Sequence, residues 1–329
     1  MKRRDVLGLG FATIAARALA ACPALAQARY PERPIRLVIP FPPGGVNDGV
    51  GRPWADRMKT LLGTVVVENQ GGAGGSLAAA AVARAPADGY TLLMGSGGTH
   101  VINPIATNHP QYDPIKDFEQ ITILGVTAIA VTVHPAVPAH TLKEFIDYAK
   151  ANPGKLSYGS AGTGTMAHLT GELFKSLTGL SSLVHVPYRG GGPATTDAIS
   201  GHVPMIMPNV TAQTIELHKS GKLRILAVTT PARVAGAPDI PTAVEAGLPG
   251  MIAQNFIGLM APSGTAKAIV EQIAQATRAA MAESDFRQML VASGFEPHVD
   301  SGPEKARRFL EEEIARWAPI IKSIGLKLD

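Results

Sequence analysis

Thiol chemistry is almost absent from this chain. Cys22 is the only cysteine, so no disulfide framework, cysteine zinc cluster or cysteine nucleophile can form within it. No basic run of the kind that grips phosphate backbones follows the first 26 residues, which sets nucleic acid aside as a partner. No later stretch is apolar for the roughly 20 residues that a bilayer crossing needs.

Catalytic signatures are missing as well. No serine carries the Gly-x-Ser-x-Gly elbow. Ser96 and Ser160 sit on glycine-rich loops without glycines at both required positions. Gly154-Lys155 and Gly221-Lys222 are each followed by Leu, so no phosphate-cradling P-loop is present. The histidines form no His-Glu-x-x-His pair, and no zinc or other metal site is expected. Gly162-x-Gly164-x-x-Ala167 outlines a dinucleotide fingerprint. The following strand, Val184–Pro187, lacks the carboxylate that would hold a ribose. No cofactor is expected.

Charge is nearly balanced, with 30 basic and 26 acidic side chains and a net of +4. Lys2, Arg3, Arg4 and Arg17 against Asp5 supply three of those four charges. They lie in a segment that reads as an export signal over residues 1–26: a basic start, a mostly apolar stretch from Gly8 to Ala21, and Ala24-Leu25-Ala26 as a cleavage site. Arg3-Arg4 also fits a twin-arginine pattern. Leu19-Ala20-Ala21-Cys22 resembles a lipoprotein box, which would make Cys22 a lipidated first residue. Cleavage after Ala26 is favoured because its apolar lead-in is longer. The mature product is expected to be soluble outside the cytoplasm.

What the chain has is glycine, 35 residues of it, arranged in a repeated unit. A short apolar run leads into a loop, usually dense in glycine, and then a helical pattern. The unit recurs at Ile35–Gly45, Tyr90–His100, Leu156–His168, Val184–Gly192 and Leu223–Thr230. The apolar runs fit buried parallel strands. Ligands of open parallel sheets bind beyond the carboxyl ends of the strands, so the loops suggest a small-ligand site built from main-chain donors.

About 300 residues after the signal suggest two domains. Val126–His134 and Asn255–Ala261 are each an apolar run ending in proline, and both read as crossover strands. The first domain is then discontinuous, residues 30–128 plus 255–329, and the second is 129–254. Helices are expected from the first loop to about Leu62, from the capping box at Thr141, after Ala161–Thr165 up to Gly179, and from Ser301 onward. In the last of these, Phe309, Leu310, Ile314, Trp317 and Ile321 form a buried face, and Glu311 to Glu313 with Arg316 a solvated one.

Several residues have two readings. Arg189, beside Tyr188 and three glycines, either forks onto a carboxylate or is an exposed loop charge. Asp48 either accepts from main-chain amides at a helix start or orients a donor toward ligand. Phe41 is either a cleft wall or core. His100 and His168 either begin helices or line the cleft as donors.

A set of segments carries a family pattern: Tyr30-Pro31-x-Arg33-Pro34-Ile35, Pro40-Phe41-Pro42-Pro43-Gly44-Gly45-x-x-Asp48, Val67-Glu68-Asn69, Gly72-Ala73-Gly74-Gly75, Asp88-Gly89-Tyr90-Thr91-Leu92-Leu93, His185-Val186-Pro187-Tyr188, Leu226-Ala227-Val228-Thr229 and Gly258-Leu259-x-Ala261-Pro262-x-Gly264-Thr265. Together they closely resemble the substrate-binding proteins of tripartite tricarboxylate transporters, the Bug receptors. The resemblance implies a two-lobed α/β fold of the periplasmic-binding-protein type, each lobe a mostly parallel sheet flanked by helices. It implies a monomeric receptor, not an enzyme, that closes on a small organic acid. The partner would be membrane transporter subunits or, alternatively, a sensor kinase. Mapped onto this chain, the site would draw on Phe41, Gly44, Gly45 and Asp48; on Ser96, Gly97 and Thr99; and on Ser160, Gly162, Thr163, Gly164 and His168, with Tyr188, Arg189 and Asn209 nearby. The family often has acidic residues where this chain has Pro204 and Pro208, which favours a ligand without an ammonium group, such as a dicarboxylate or an aromatic acid. Valine at Gly45 or Gly162 is expected to abolish binding and leave the apo fold intact.

Overall fold

The computed structural model describes residues 30–328. The expected signal segment, with Arg3-Arg4 and Cys22, lies outside the described residues.

The chain forms strands β1 (Ile35–Ile39), β2 (Val65–Asn69), β3 (Thr91–Ser96), β4 (Phe118–Ala128), β5 (Ala130–Val133), β6 (Ser157–Ser160), β7 (Val184–Pro187), β8 (Met205–Ile206), β9 (Arg224–Val228), β10 (Gln254–Pro262) and β11 (Phe295–Pro297). They build two sheets, ordered β11-β4-β10-β3-β1-β2 and β7-β6-β8-β5-β9. Helices flank both: α1 (Val46–Leu61), α2 (Ser76–Ala83), α3 (Asn103–Ala106), α4 (Leu142–Ala151), α5 (Met166–Thr178), α6 (Gly191–Ile199), α7 (Ala212–Lys219), α8 (Lys267–Ala282), α9 (Ser284–Ala292) and α10 (Pro303–Ser323). This is the expected two-lobed α/β architecture.

The sheets are mixed rather than mostly parallel. β1 pairs in parallel with β2 and β3, and β6 with β7 and β8. β10 runs antiparallel to β3 and β4, β11 to β4, and β5 to β8 and β9. The cause is connectivity: a strand that leaves one lobe and enters the other does not return through a right-handed helical crossover.

β4 and β5 are one extended run that changes sheets at Ile129, as expected for Val126–His134. Asn255–Ala261 differs. β10 lies wholly in the first sheet, and the return crossing comes just before it. There Thr229 donates from its amide to Ile129 O and from Oγ1 to Ala253 O, and accepts from the Ala253 amide at 2.8 Å. Thr229 is fully buried, so the two crossings form one hydrogen-bonded hinge.

Local signals explain most element ends. Thr141 caps α4 by accepting from the Glu144 amide at 3.1 Å, while Glu144 reaches back to the His140 amide. Gly179 closes α5 in the left-handed conformation at φ 72°. Trp54 of α1 is fully buried and donates Nε1 to Thr277 Oγ1 of α8 at 3.1 Å. In α10 the buried positions are Ala306, Leu310, Trp317 and Ile321, with Phe309 and Ile314 packed alongside. Its charged face is not wholly solvated. Glu313 accepts from Trp317 Nε1 and Arg316, and Arg316 also donates to Ile252 O in the stretch leading to β10.

Candidate functional site

Three helices begin at one place. α1 starts after the loop that follows β1, α5 after β6, and α6 after β7. Gly45, Val46 and Asn47, then Thr165, Met166 and Ala167, then Gly190, Gly191 and Gly192, all line one cavity of about 190 Å³. The first helix belongs to one lobe and the other two to the opposite lobe. A helix start carries free N–H groups and about half a positive charge, so the arrangement is suited to an anion.

The capping pattern sharpens that reading. The positions before α1 and α6 are Gly45 and Gly190, and neither helix has a side-chain cap. Their first-turn amides therefore have no competing oxygen from the chain itself. α5 is capped, with Thr165 Oγ1 accepting from the His168 amide at 3.3 Å. A Cβ on Gly191 or Gly192 would meet nothing within 4 Å. Packing does not demand glycine there, and its absence of side chain lets a ligand approach the backbone.

Phe41, Pro42, Ser96, Asn209, Asn255 and Arg189 complete the chamber. Arg189 is the one charged residue among its lining, and no carboxylate lines it. Asn209 Oδ1 is buried without a hydrogen-bond partner. Side compartments extend the chamber. One of about 80 Å³ is lined by Gly44, Gly45, Ser160 and Asn209, and a wider one of about 620 Å³ by Phe41, Gly162, Thr163, Tyr188 and Arg189. Phe41 is thus a wall, and Arg189 stands on the cleft.

Other expected site residues sit behind the surface. Asp48 lines none of the three compartments. It accepts from the Gly44 amide, Arg52 Nε and Asn69 Nδ2, each at 3.0 Å. Burial pushes its carboxyl up, but those hydrogen bonds outweigh burial and hold it below the usual range. It shapes the loop through Gly44. Thr99 and His100 are fully buried on a π-helical turn, Gly98–Ile102, where a loop was expected. Thr99 Oγ1 accepts from the Ser96 amide at 2.9 Å and meets His100 Nδ1, while the His100 ring packs 4.9 Å from Phe118. His168 is 6% exposed, accepts from the Gly164 amide through Nδ1, and stacks on His185 at 4.0 Å. Burial pushes His168 down to about 4 and His100 down to about 3, so both rings are neutral near pH 7. Neither histidine lines the cleft compartments. Tyr188, by contrast, lines the wider compartment and donates to Asp197 at 2.8 Å.

Gly97 and Gly164 belong to the seam between the lobes. A Cβ on Gly97 would stand 2.7 Å from Met166 Cγ of the opposite lobe, and one on Gly74 would stand 2.5 Å from Thr163 O. Asn103 bridges the seam. Its Nδ2 donates to Gly98 O at 2.7 Å and lies 3.2 Å from Gly74 O and from Gly164 O. Gly162 has φ +128°, and a Cβ there would meet Tyr188 O at 2.9 Å. The expectation that Gly162→Val leaves the fold intact therefore fails on geometry. Gly45 has an ordinary extended backbone, and its Cβ would come no closer than 3.6 Å to Pro42 O.

Asn255, Asn103 and the Gly191-Gly192 pair were not singled out from the sequence. The glycine pair carried a signal, as it opens a helical pattern just after Arg189 and Gly190. Asn255 and Asn103 carried none, because their roles arise from contacts distant in sequence.

The model for the tripartite tricarboxylate transporter family receptor, TctC, matches residues 50–326. Protein BugT of Bordetella pertussis is 34% identical over 301 residues, 91% of each chain. Among solved structures, an R. palustris protein with adipate superposes at TM-score 0.85 and 34% identity, covering 91% of this chain and 99% of that one. MatC from Rhodopseudomonas palustris with bound malate superposes at TM-score 0.84 and 32% identity, covering 89% and 100%.

Proposed function

The chain belongs to the tripartite tricarboxylate transporter receptor family, and from that premise we propose that it captures a dicarboxylate without an ammonium group and delivers it to membrane transporter subunits. The family is one of substrate-binding receptors, not enzymes. Among the described residues no helix is long and apolar enough to cross a membrane. The expected signal segment would place the receptor in the periplasm.

The observation that carries this reading is the convergence of three helix starts and Arg189 on a chamber lined by no carboxylate. An ammonium group would meet there the positive ends of helices and a guanidinium, with only neutral oxygens such as Asn209 Oδ1 to accept from it. Two carboxylates would find donors from both lobes. The solved relatives with adipate and malate support a dicarboxylate as cargo. Pro208, where the family often has an acid, lines the smaller compartment and supports the same choice; Pro204 lies at the other end of β8 and lines none of the compartments.

On this reading the lobes are residues 30–128 with 255–329, and residues 129–254. An anion that touches both stabilises the closed form over the open one. Ser96, Gly45 and Asn255 face it from one side, and Arg189, Gly191, Gly192 and Asn209 from the other.

A thermal-shift panel of succinate, malate, adipate, benzoate and amino acids tests the reading. A dicarboxylate at a hundred times its Kd adds about 2.7 kcal/mol to stability and raises Tm accordingly. A shift from amino acids alone, or from none of the acids, overturns it.

A further inference from the structure

Ser160 closes β6 and lines the compartment of about 80 Å³ beside Gly45 and Asn209. It is 1% exposed. Its Oγ accepts from the Gly162 amide at 3.1 Å and lies 2.7 Å from His185 Nε2. A hydroxyl has one proton to donate and two lone pairs. One lone pair is occupied by Gly162, so the bond to His185 decides what the hydroxyl shows to the cleft. If Ser160 donates to the ring, its remaining lone pair faces the chamber and repels an anion. If the ring donates from Nε2, both lone pairs are filled and the O–H is free to point at ligand.

The ring is held for this bond. His185 lies between Tyr158, whose centroid is 4.9 Å away at 24°, and His168, at 4.0 Å and 10°. Tyr158 is fixed in turn by its bond to Glu172 at 2.7 Å. The stack sets the plane in which Nε2 meets Ser160. A neutral imidazole has one protonated nitrogen, and its tautomer follows from the partners of both nitrogens.

We propose that His185 is a positioning residue for the bound acid: its Nε2–H tautomer donates to Ser160 and turns the Ser160 hydroxyl into a donor aimed at the ligand carboxylate. This rests on the anion-binding reading above and adds a specificity device to it. The cleft also offers anions main-chain amides, Arg189 and the side chains of Ser96 and Asn255. A hydroxyl committed as a donor extends that set, and a ligand presenting a donor to this compartment meets a proton instead of a lone pair. The acid and the tautomer favour each other, because each supplies what the other's hydrogen bond requires.

The test has two independent parts. Nitrogen NMR of the apo protein and of the succinate, malate and adipate mixtures reports the tautomer directly. A protonated Nε2 with an unprotonated Nδ1 in the acid-bound form is expected, and the reverse tautomer overturns the proposal. If no acid binds, the reading of function fails, and the apo spectrum alone decides the tautomer. The second part is a double-mutant cycle on calorimetric affinity. His185→Phe keeps a ring in the stack and loses the donor. It is expected to weaken binding roughly tenfold or more, the size of a hydrogen bond to a charged group. His185→Gln, whose amide restores a donor at the same reach, is expected to recover most of that loss. In a Ser160→Ala background, His185→Phe is expected to change affinity little. An equal loss in both backgrounds marks the ring as structural packing only and overturns the proposal.

Discussion

The Gly97 amide donates to Asn255 Oδ1 at 3.3 Å. This bond ties the loop after β3 to the start of β10, just where the chain re-enters the first lobe. Asn255 lines the chamber, while its neighbour Gln254 lines a separate groove with Val126 and Phe295, as alternation along a strand requires. Asn255 is 6% exposed, so its loss strands a buried amide. Asn255→Ala is expected to cost about 1–3 kcal/mol of stability. Urea unfolding should show a lower midpoint with an unchanged slope. An unchanged midpoint would mean that the Gly97 amide has another partner.

Gly74 separates folding from closure. It has φ +61°, and its missing side chain leaves room for Thr163 O of the other lobe. Alanine there costs about 1–2 kcal/mol for the left-handed conformation, which a domain of this size tolerates. It also places a methyl where the lobes meet. Gly74→Ala should fold, melt slightly lower, and show little thermal shift with the best acid of the panel. Small-angle scattering should give the same radius with and without that acid, whereas the unsubstituted protein contracts. Full contraction of the variant would remove this contact from the closed form.

The architecture was legible where local physics decides it. Apolar runs ending in glycine loops became strands whose ends meet helix starts, because a buried strand and a helix N-terminus each leave a pattern of a few residues. Strand direction was not legible. The run at Gln254–Pro262 looks the same whether it pairs in parallel or antiparallel, and only the hinge at Thr229 and Ala253 settles it. The site was half legible for a related reason. Gly45, Ser96 and Arg189 reached the chamber. Thr99 and His168, also polar residues at the ends of glycine loops, turned inward, since one turn of helix separates a residue facing the cleft from one facing the core. Asn103 shows its role only once Gly74, Gly98 and Gly164 are brought together.

Buried His100 and His168, with half-buried His185, predict the acid limb of stability. Burial, above all, pushes His168 down to about 4, and His185 and His100 down to about 3. In the unfolded chain each titrates near 6.5. Their contribution is therefore complete above about pH 6.5 and is lost as pH falls through that value toward the folded ones. In that window each ring kept neutral costs up to about 1.4 kcal/mol per pH unit. Tm should start to fall near pH 6.5, above the range in which exposed carboxylates titrate. His185→Gln should flatten the slope between pH 6 and 4; an unchanged slope would place the proton uptake elsewhere.

Arg189 supplies the chamber's single side-chain charge. Arg189→Gln keeps a polar, flexible side chain with an amide donor, although a shorter one, and removes the charge. Loss of a charge-assisted bond to a carboxylate is worth about 1.5–3 kcal/mol. Dicarboxylate affinity should fall at least tenfold by calorimetry, while Tm of the apo protein changes little. Equal affinities would place the guanidinium outside the bound acid's reach.

Gly45 gives the cleanest test that the backbone itself is the receptor. It precedes α1, its backbone is in an ordinary extended region, and its Cβ would meet nothing closer than Pro42 O at 3.6 Å. The Cβ of a valine there meets only an ordinary van der Waals contact, and its two methyl groups stand at the uncapped amides at the start of α1. The apo protein should melt within a few degrees of the unsubstituted one and lose its response to every acid. Gly45→Ala, with one methyl group, should fall between the two. Gly162→Val cannot serve the same purpose, since φ +128° and the approach to Tyr188 O at 2.9 Å strain the apo fold itself. Retained affinity in Gly45→Val would show that the acid is held without the amides at the start of α1, and the account of the chamber as a junction of three helix starts would fail at its first member.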